Sequence, residues 1–355
     1  MTLDWRKLLV AVAATTLLVA ACSTPLPVIP KVDRGPASPT EAARVVLPSP
    51  TPAPSPTPAP FPIRRQAVNV VVPFGAGTSA DLSTRILAPA LSRDLGLPVQ
   101  VVNRPGDGSR AGLAQFLAST PDGYTLGMTN LPSTAALYLS HDGRVSFGRK
   151  DLQPLAAVAV DAGVVAVNPR SPYRTMKQLA DAAKAEPGKI RAAAAGPWDA
   201  SYLMALKTEA AIPAKLTLVP VDTSAQGFTA LMSGRAEVLF GSLVELTPSV
   251  DAGAIRTLGI TDTQANPALP GVRTLDSQGY KLYYATTLGY SLPAGLRKAA
   301  FDRWATAFSR AAADPEVKKK QAEIGLTPKF MDPQRYAAFW TESESEAAAF
   351  VAQSR

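Results

Sequence analysis

Two chemically versatile residues are almost missing from this chain. Its 355 residues include one cysteine, Cys22, and one histidine, His141. A lone cysteine excludes a disulfide framework and any cysteine-built zinc site. A lone histidine excludes multi-histidine metal centres and leaves a serine protease-like triad only His141, which sits in a turn-like Ser-His-Asp-Gly stretch. No Gly-x-Ser-x-Gly elbow occurs either. Charge is sparse at 18% of residues, and half of the net +8 falls within residues 1–65. The remainder is too weakly and too evenly basic for a nucleic-acid footprint. Its densest basic run, Lys318-Lys319-Lys320, reads as a solvated helix face.

Proline, in contrast, is abundant and unevenly placed. Of 33 prolines, 13 lie between Cys22 and Pro62. Before them, Met1–Ala21 has a short basic start (Arg6, Lys7) and an apolar run from Leu8 to Ala21. That run falls short of the ~20 residues a membrane span requires, so residues 1–21 are expected to be an export signal. It ends Val19-Ala20-Ala21-Cys22, which resembles the lipobox of bacterial lipoproteins and makes Cys22 the expected lipidation site. Several acyl chains together would anchor the chain stably to a membrane. Proline fixes φ and lacks an amide donor, so residues 22–65 are expected to form an extended, semi-rigid tether.

From residue 66 onward, short β-branched runs alternate with amphipathic, alanine-rich stretches. Strands are expected at Val68–Val72, Val99–Val102, Thr125–Met128, Gly163–Val167, Leu216–Val219, Val238–Phe240, Thr257–Ile260 and Thr287–Ser291. Helices are expected at Asp81–Leu95, Gly112–Ser119, Met176–Ala185, Ala200–Glu209, Ala225–Ser233 and Thr247–Ala252. Three more close the chain, at Ala299–Ala313, Pro315–Ile324 and Pro333–Ala352. Such alternation implies an α/β fold with largely parallel sheets covered by helices on both faces.

Ligands on sheets of this kind sit beyond the carboxyl ends of strands, where loops enter helix N-termini. Three loops qualify. The first runs Pro73-Phe74-Gly75-Ala76-Gly77-Thr78-Ser79-Ala80-Asp81; the second is Thr129-Asn130-Leu131-Pro132-Ser133-Thr134; the third is Gly196-Pro197-Trp198-Asp199-Ala200-Ser201. Each offers small residues, hydroxyls and free amides, which can hold a carboxylate without a basic side chain. Thr78 and Asp81 also fit a capping box, so Asp81 is either a cap or a ligand contact. Ser133 and Thr134 are caps that can also touch ligand, and Trp198 is either a core aromatic or a cleft wall.

Gly75-Ala76-Gly77-Thr78-Ser79-Ala80 matches Gly-x-Gly-x-x-Ala, the dinucleotide fingerprint. The acidic residue needed about 20 positions later is absent, because the second strand ends Val101-Val102-Asn103. Together with the export signal, that makes a nucleotide-binding oxidoreductase the weaker reading, and no cofactor is expected.

The loops and their spacing resemble the tripartite tricarboxylate transporter substrate-binding proteins, also called the Bug family of extracytoplasmic solute receptors. The matching residues are Val72-Pro73-Phe74-Gly75-Ala76-Gly77 with Asp81 and Arg85, Asn103-Arg104-Pro105-Gly106, and Pro121 to Leu126. Further matches are Val167-Asn168-Pro169, Lys184 to Lys189, Leu231 to Gly234 with Val238, Ala268 to Val272 and Ala313 to Val317. The resemblance implies a type II periplasmic-binding-protein fold, with two Rossmann-like lobes, two crossover segments and a ligand cleft between them. Lobe one would comprise 66–167 plus 289–355, and lobe two 168–288.

By the same resemblance the protein is no enzyme. It would be an exported, lipid-anchored and monomeric receptor that faces the periplasm or the cell exterior. It would capture a small organic acid or amino-acid-like solute and pass it to the large and small membrane subunits of a secondary transporter. The alternative is a binding protein that presents ligand state to a membrane sensor. The implied ligand-binding set is Phe74, Gly75, Gly77, Thr78, Ser79, Asp81, Thr129, Asn130, Ser133, Thr134, Trp198, Asp199, Ser201, Asp222 and Thr223.

Several positions depart from the family pattern. Thr78 and Ala80 replace a usual Gly and Thr, Tyr202 replaces a frequent His, and Pro220-Val221-Asp222-Thr223 replaces Pro-Tyr-Lys-Gly. A lost lysine and gained acids disfavour a plain dicarboxylate. They point to a zwitterionic or weakly acidic solute, with Asp81, Asp199 or Asp222 meeting a cationic or hydroxyl group.

Overall fold

Val68–Val72 alternates only weakly in polarity and is buried at four of its five positions, as expected of a central strand; it forms β1. The computed structural model describes residues 61–62, 66–140 and 143–353, all within one compact unit. The expected signal, Cys22, His141 and all of the tether except residues 61–62 lie outside the described residues. Phe61 corrects the tether's end: it is buried and packs edge-on against Tyr124 at 5.2 Å, so it belongs to the folded part. After β1 come α1 (Ser79–Leu95), β2 (Val99–Asn103), α2 (Arg110–Leu117), β3 (Thr125–Leu131), α3 (Ser133–Leu139) and the long β4 (Leu152–Val167). Next are α4 (Met176–Ala185), β5 (Arg191–Ala195), α5 (Ala200–Ala211), β6 (Thr217–Val221), α6 (Ser224–Met232), β7 (Val238–Ser242) and α7 (Leu243–Asp251). The chain closes with β8 (Arg256–Ile260), β9 (Ala285–Pro293), α8 (Lys298–Ala313), α9 (Pro315–Glu323), β10 (Thr327–Met331) and α10 (Pro333–Gln353).

The strand order is β2-β1-β3-β9-β4-β7-β5-β6, with β8 and β10 also paired to β4. Strand β4 links two regions of sheet. Its residues Leu152–Ala162 pair with β9, whereas Gly163–Val167 pair with β7 and β8. The sheets are mixed, which corrects the largely parallel expectation. Parallel pairs join β1 to β2 and β3 and join β5 to β6 and β7, but every pair made by β4 or β9 is antiparallel. Strand β4 follows β3 through α3 and runs parallel to it, but β9 inserts antiparallel between them from far along the chain, a pairing that the local alternation of elements could not reveal.

Two strands and one helix escape the sequence pattern. Strand β5 is Arg-Ala-Ala-Ala-Ala, poor in β-branched residues and held by burial between β6 and β7. Strand β10 is largely exposed and lies against β4. Helix α3 spans only seven residues. The first part of β4 is likewise alanine-rich, so the expected strand at Gly163–Val167 is only the end of a 16-residue one.

Three apolar clusters fill the spaces between sheet and helices. One packs Val68, Val70, Leu87 and Leu91 with Trp304, Phe308 and Tyr290, clamping α1 and α8 onto the first sheet region. A second sets Met176, Leu179, Leu203 and Met204 against Phe240, and a third sets Leu231, Leu243 and Leu246 against Val164 and Leu239. These clusters hold the helix starts that build the site in fixed positions at the ends of β1, β5 and β7.

Candidate functional site

Thr78 caps α1 by accepting the Asp81 amide at 3.4 Å, and its hydroxyl donates to the Gly75 carbonyl at 2.8 Å. Asp81, only 2% exposed, ties this loop down. Its carboxylate accepts from the Gly77 amide, Arg85 Nε and Asn103 Nδ2, each at 2.9 Å. Asn103 also donates to the Phe74 carbonyl at 3.1 Å, so the tip of β2 supports the loop from the side. These three donors hold the Asp81 carboxyl below its ordinary value against the opposing effect of burial. Gly77 has φ of +83°, a left-handed conformation that favours glycine there.

The next residue, Ser79, reaches across to another helix start. Its amide donates to Glu245 Oε1 at 3.3 Å. Glu245 lies in the first turn of α7, which is capped by Ser242, and its other oxygen accepts from the Ser224 hydroxyl at the start of α6. Ser242 Oγ also donates to Asp161 Oδ2 at 2.6 Å. Asp161 projects from β4 and is 4% exposed. Burial pushes its carboxyl up to about 6, although the Ser242 and Ser79 hydroxyls and the Leu243 and Val244 amides favour the charge. Glu245 is pushed up to about 7, first by burial and then by the charges of Asp161 and Asp199, against the Ser224 hydroxyl and the Ser79 amide.

Asp199 supplies a third acid. It caps α5, accepting the Ser201 amide at 3.0 Å and the Ser201 hydroxyl at 3.1 Å, and burial raises its pKa. Ser201 Oγ in turn accepts the Ala195 amide at 2.7 Å. Just before it, Trp198 adopts φ of +74° and meets Tyr202 edge-on at 5.9 Å. The Tyr284 hydroxyl borders the same region. It lies beside the Ser133 and Thr286 hydroxyls and within the field of Asp199. Charged and hydroxyl groups from α1, β4, α5, α6 and α7 therefore converge where strand ends meet helix starts. Such an arrangement can bind a small polar solute.

The family model of the tripartite tricarboxylate transporter family receptor matches residues 83–354. The chain belongs to this family. Its members are solute receptors, not enzymes. Among curated relatives, the protein of the gbd 5′ region of Cupriavidus necator is 26% identical over 288 residues, covering 81% of this chain and 87% of the relative. A solved periplasmic transporter is similar at a TM-score of 0.74 and 28% identity, covering 81% of this chain and 97% of that one. An R. palustris protein solved with adipate has a TM-score of 0.75 at 22% identity, with 82% and 98% covered, and so shares the fold. The expected α/β periplasmic-binding-protein fold is thus observed. Among the described residues no helix is long and apolar enough to cross a membrane.

Within this receptor, the residues expected to bind ligand separate into groups. Ser79, Asp199 and Ser201 belong to the convergent cluster, and Ser133 borders it through Tyr284. The Thr134 hydroxyl accepts the Asn130 backbone amide at 3.1 Å, and the Asn130 side-chain Oδ1 is buried without a partner. Phe74, Gly75, Gly77, Thr78 and Asp81 shape the first loop, and all four hydrogen bonds around Asp81 are internal. Thr129 is fully buried, 3.0 Å from the Tyr336 hydroxyl and 3.3 Å from that of Ser291, inside the core. Asp222 and Thr223 are exposed, and Thr223 caps α6 through the Gln226 amide at 3.2 Å.

Asp161, Ser224, Ser242, Glu245 and Tyr284 went unnoticed in the sequence. Asp161 did carry a signal, as the only charge in the apolar run Leu152–Val167. Glu245 was hidden because the helix expected at Thr247–Ala252 starts at Leu243, which turns Ser242 into a cap and Glu245 into a first-turn acid.

Proposed function

We propose that this receptor is a lipid-anchored extracytoplasmic protein that captures a small carboxylate-bearing solute. It then delivers the solute to the large and small membrane subunits of a tripartite tricarboxylate-type secondary transporter. The observation that carries this reading is the convergence on Ser79, Asp161, Asp199 and Glu245 of helix starts from both sheet regions. Polar groups gathered from distant segments suit ligand capture, and family membership supplies the transport context. In this reading residues 66–167 plus 289–355 and residues 168–288 are two lobes that close on the solute. The solved relative with adipate sets a class of ligand to try first.

The proposed anchor is Cys22, joined by the proline-rich tether to the folded part. The test of capture is a thermal-shift screen over organic acids and amino acids. A solute that binds only the folded state at a hundredfold excess over its Kd stabilises by about 2.7 kcal/mol. Small-angle scattering of the shifted complexes should show a smaller radius of gyration on lobe closure. Absence of any shift across the screen would remove the receptor reading.

A further inference from the structure

Three carboxylates share one small region of this receptor, yet among the described residues no lysine or arginine forms an ion pair with any of them. Asp161 lies near the first amides of α7, Glu245 takes the Ser79 amide at the start of α1, and Asp199 caps α5. A helix start contributes roughly half a positive charge. Three of them leave a substantial negative excess when all three acids are ionised. The end of α1 that could receive a solute carboxylate is taken by the chain's own Glu245.

A second observation is independent of that charge count. Asp161, 4% exposed, takes the Ser242 hydroxyl on Oδ2, whereas its buried Oδ1 closes no hydrogen bond although the Ser79 hydroxyl and the Leu243 and Val244 amides lie near the carboxylate. The Ser133 and Tyr284 hydroxyls, from residues 6% and 3% exposed, lie beside each other without closing a well-formed hydrogen bond. Buried polar atoms are almost always satisfied, so this group calls for a partner from outside the chain. Among the described residues no three acidic side chains stand close enough to share a metal ion, which favours an organic cation.

We propose that the captured solute carries a protonated nitrogen, received by Asp161 Oδ1 and the Glu245 carboxylate, with Asp199 adding to the field. The unpartnered Ser133 and Tyr284 hydroxyls serve its carboxylate or other polar end. The inference rests on the receptor reading and narrows its substrate class to amino acids, betaines or related amines. It also moves cation recognition from Asp81 and Asp222 to two residues whose importance emerges only in the fold. A dicarboxylate would bring further negative charge beside three acids, with no basic side chain to offset it.

The test uses the full chain at pH 8. A thermal-shift screen of amino acids, amines, divalent cations and nitrogen-free carboxylates is followed by calorimetric titration of hits and of a matched series. That series is succinate, 4-aminobutyrate and 1,4-diaminobutane, which exchange carboxylate for ammonium on one four-carbon frame. Hits are expected to carry a protonated nitrogen, and Asp161→Asn and Glu245→Gln should each weaken them at least tenfold. The surface variant Asp181→Asn should stay within twofold of the parent. If Asp161→Asn does not fold, Glu245→Gln alone reads the site. Binding of nitrogen-free carboxylates or metal ions without amines overturns this proposal and leaves the receptor reading standing. Amine binding that both variants retain overturns the residue assignment. Binding from no class removes the proposal and the receptor reading together.

Discussion

The Ser79 amide at the start of α1 donates to Glu245 Oε1 in the first turn of α7, at 3.3 Å and across 166 residues of sequence. Two helix starts are joined by one carboxylate, and that carboxylate is itself repelled by Asp161 and Asp199. The contact is attractive locally, while its surroundings disfavour the charge it needs.

Replacing that charge should therefore relieve the fold. Glu245→Gln keeps an acceptor for Ser79 and removes the repulsion. Its melting temperature is expected to exceed that of the parent at pH 8. The gap should close at pH 5, where the parent's Glu245, pushed up to about 7, is already protonated. Scanning fluorimetry at the two pH values checks this, and a gap that is equal at both would refute it.

The whole protein should follow the same sign. Asp161 moves from 3.8 to about 6 and Glu245 from 4.5 to about 7, so the folded state retains protons that the unfolded chain releases. Stability from these groups is full below the unfolded values and falls as pH rises through the window from about 4 to 7. Asp81, Asp94 and Glu237 are lowered instead, so their contribution is lost as pH falls below the ordinary carboxylate range. Urea denaturation from pH 3 to 8 should peak near pH 5, and Asp161→Asn should flatten the alkaline side.

Asp81 should matter more than its salt-bridge partner. Asp81→Ala leaves the Gly77 amide and one of the two Asn103 Nδ2 hydrogens without an acceptor, at about 1–3 kcal/mol for each donor that stays buried. The Arg85 side chain is 49% exposed, so Arg85→Ala should cost under about 1 kcal/mol. Chemical denaturation of both variants measures the difference, and equal losses would contradict the brace described for this loop.

Gly112 sets the spacing beneath the same loop. A Cβ there would stand 2.5 Å from the Arg104 carbonyl oxygen and 2.6 Å from the Pro73 Cα, both backbone atoms. Gly112→Ala is expected to destabilise by about 1–3 kcal/mol through overpacking. Gly196 has nothing within 4 Å of its Cβ position, and Gly196→Ala should be nearly neutral. Denaturation midpoints that fail to separate the two would show that the β1–β2 edge yields more easily than its packing implies.

Much of the fold was legible because its signals are local. Strand β1 and helix α4 match their expected bounds, and the expected Thr78 cap bonds to an amide three residues on; Ser133 and Thr134, expected as caps, instead leave α3 without a side-chain cap because it starts after Pro132. The three loops were found by the same short-range logic. Within them, however, sequence could not separate a residue facing the cluster from one spent on the core. Thr129 shows this: its partners Ser291 and Tyr336 lie 162 and 207 residues away.

By itself the sequence determined the alternation of strands and helices, the Thr78 cap and the family motifs, since each depends on neighbours within a turn or a strand. Tertiary structure alone decided the insertion of β9 between β3 and β4, the antiparallel pairing of β4 with β7 and β8, and the meeting of Ser79, Asp161 and Glu245. The hydrogen bond from Ser242 to Asp161 spans 81 residues and that from Ser79 to Glu245 spans 166. No local propensity encodes such distances. They arise because apolar burial packs helices onto both regions of the sheet and so draws three acids, scattered along the chain, to the helix starts where their charge can be held.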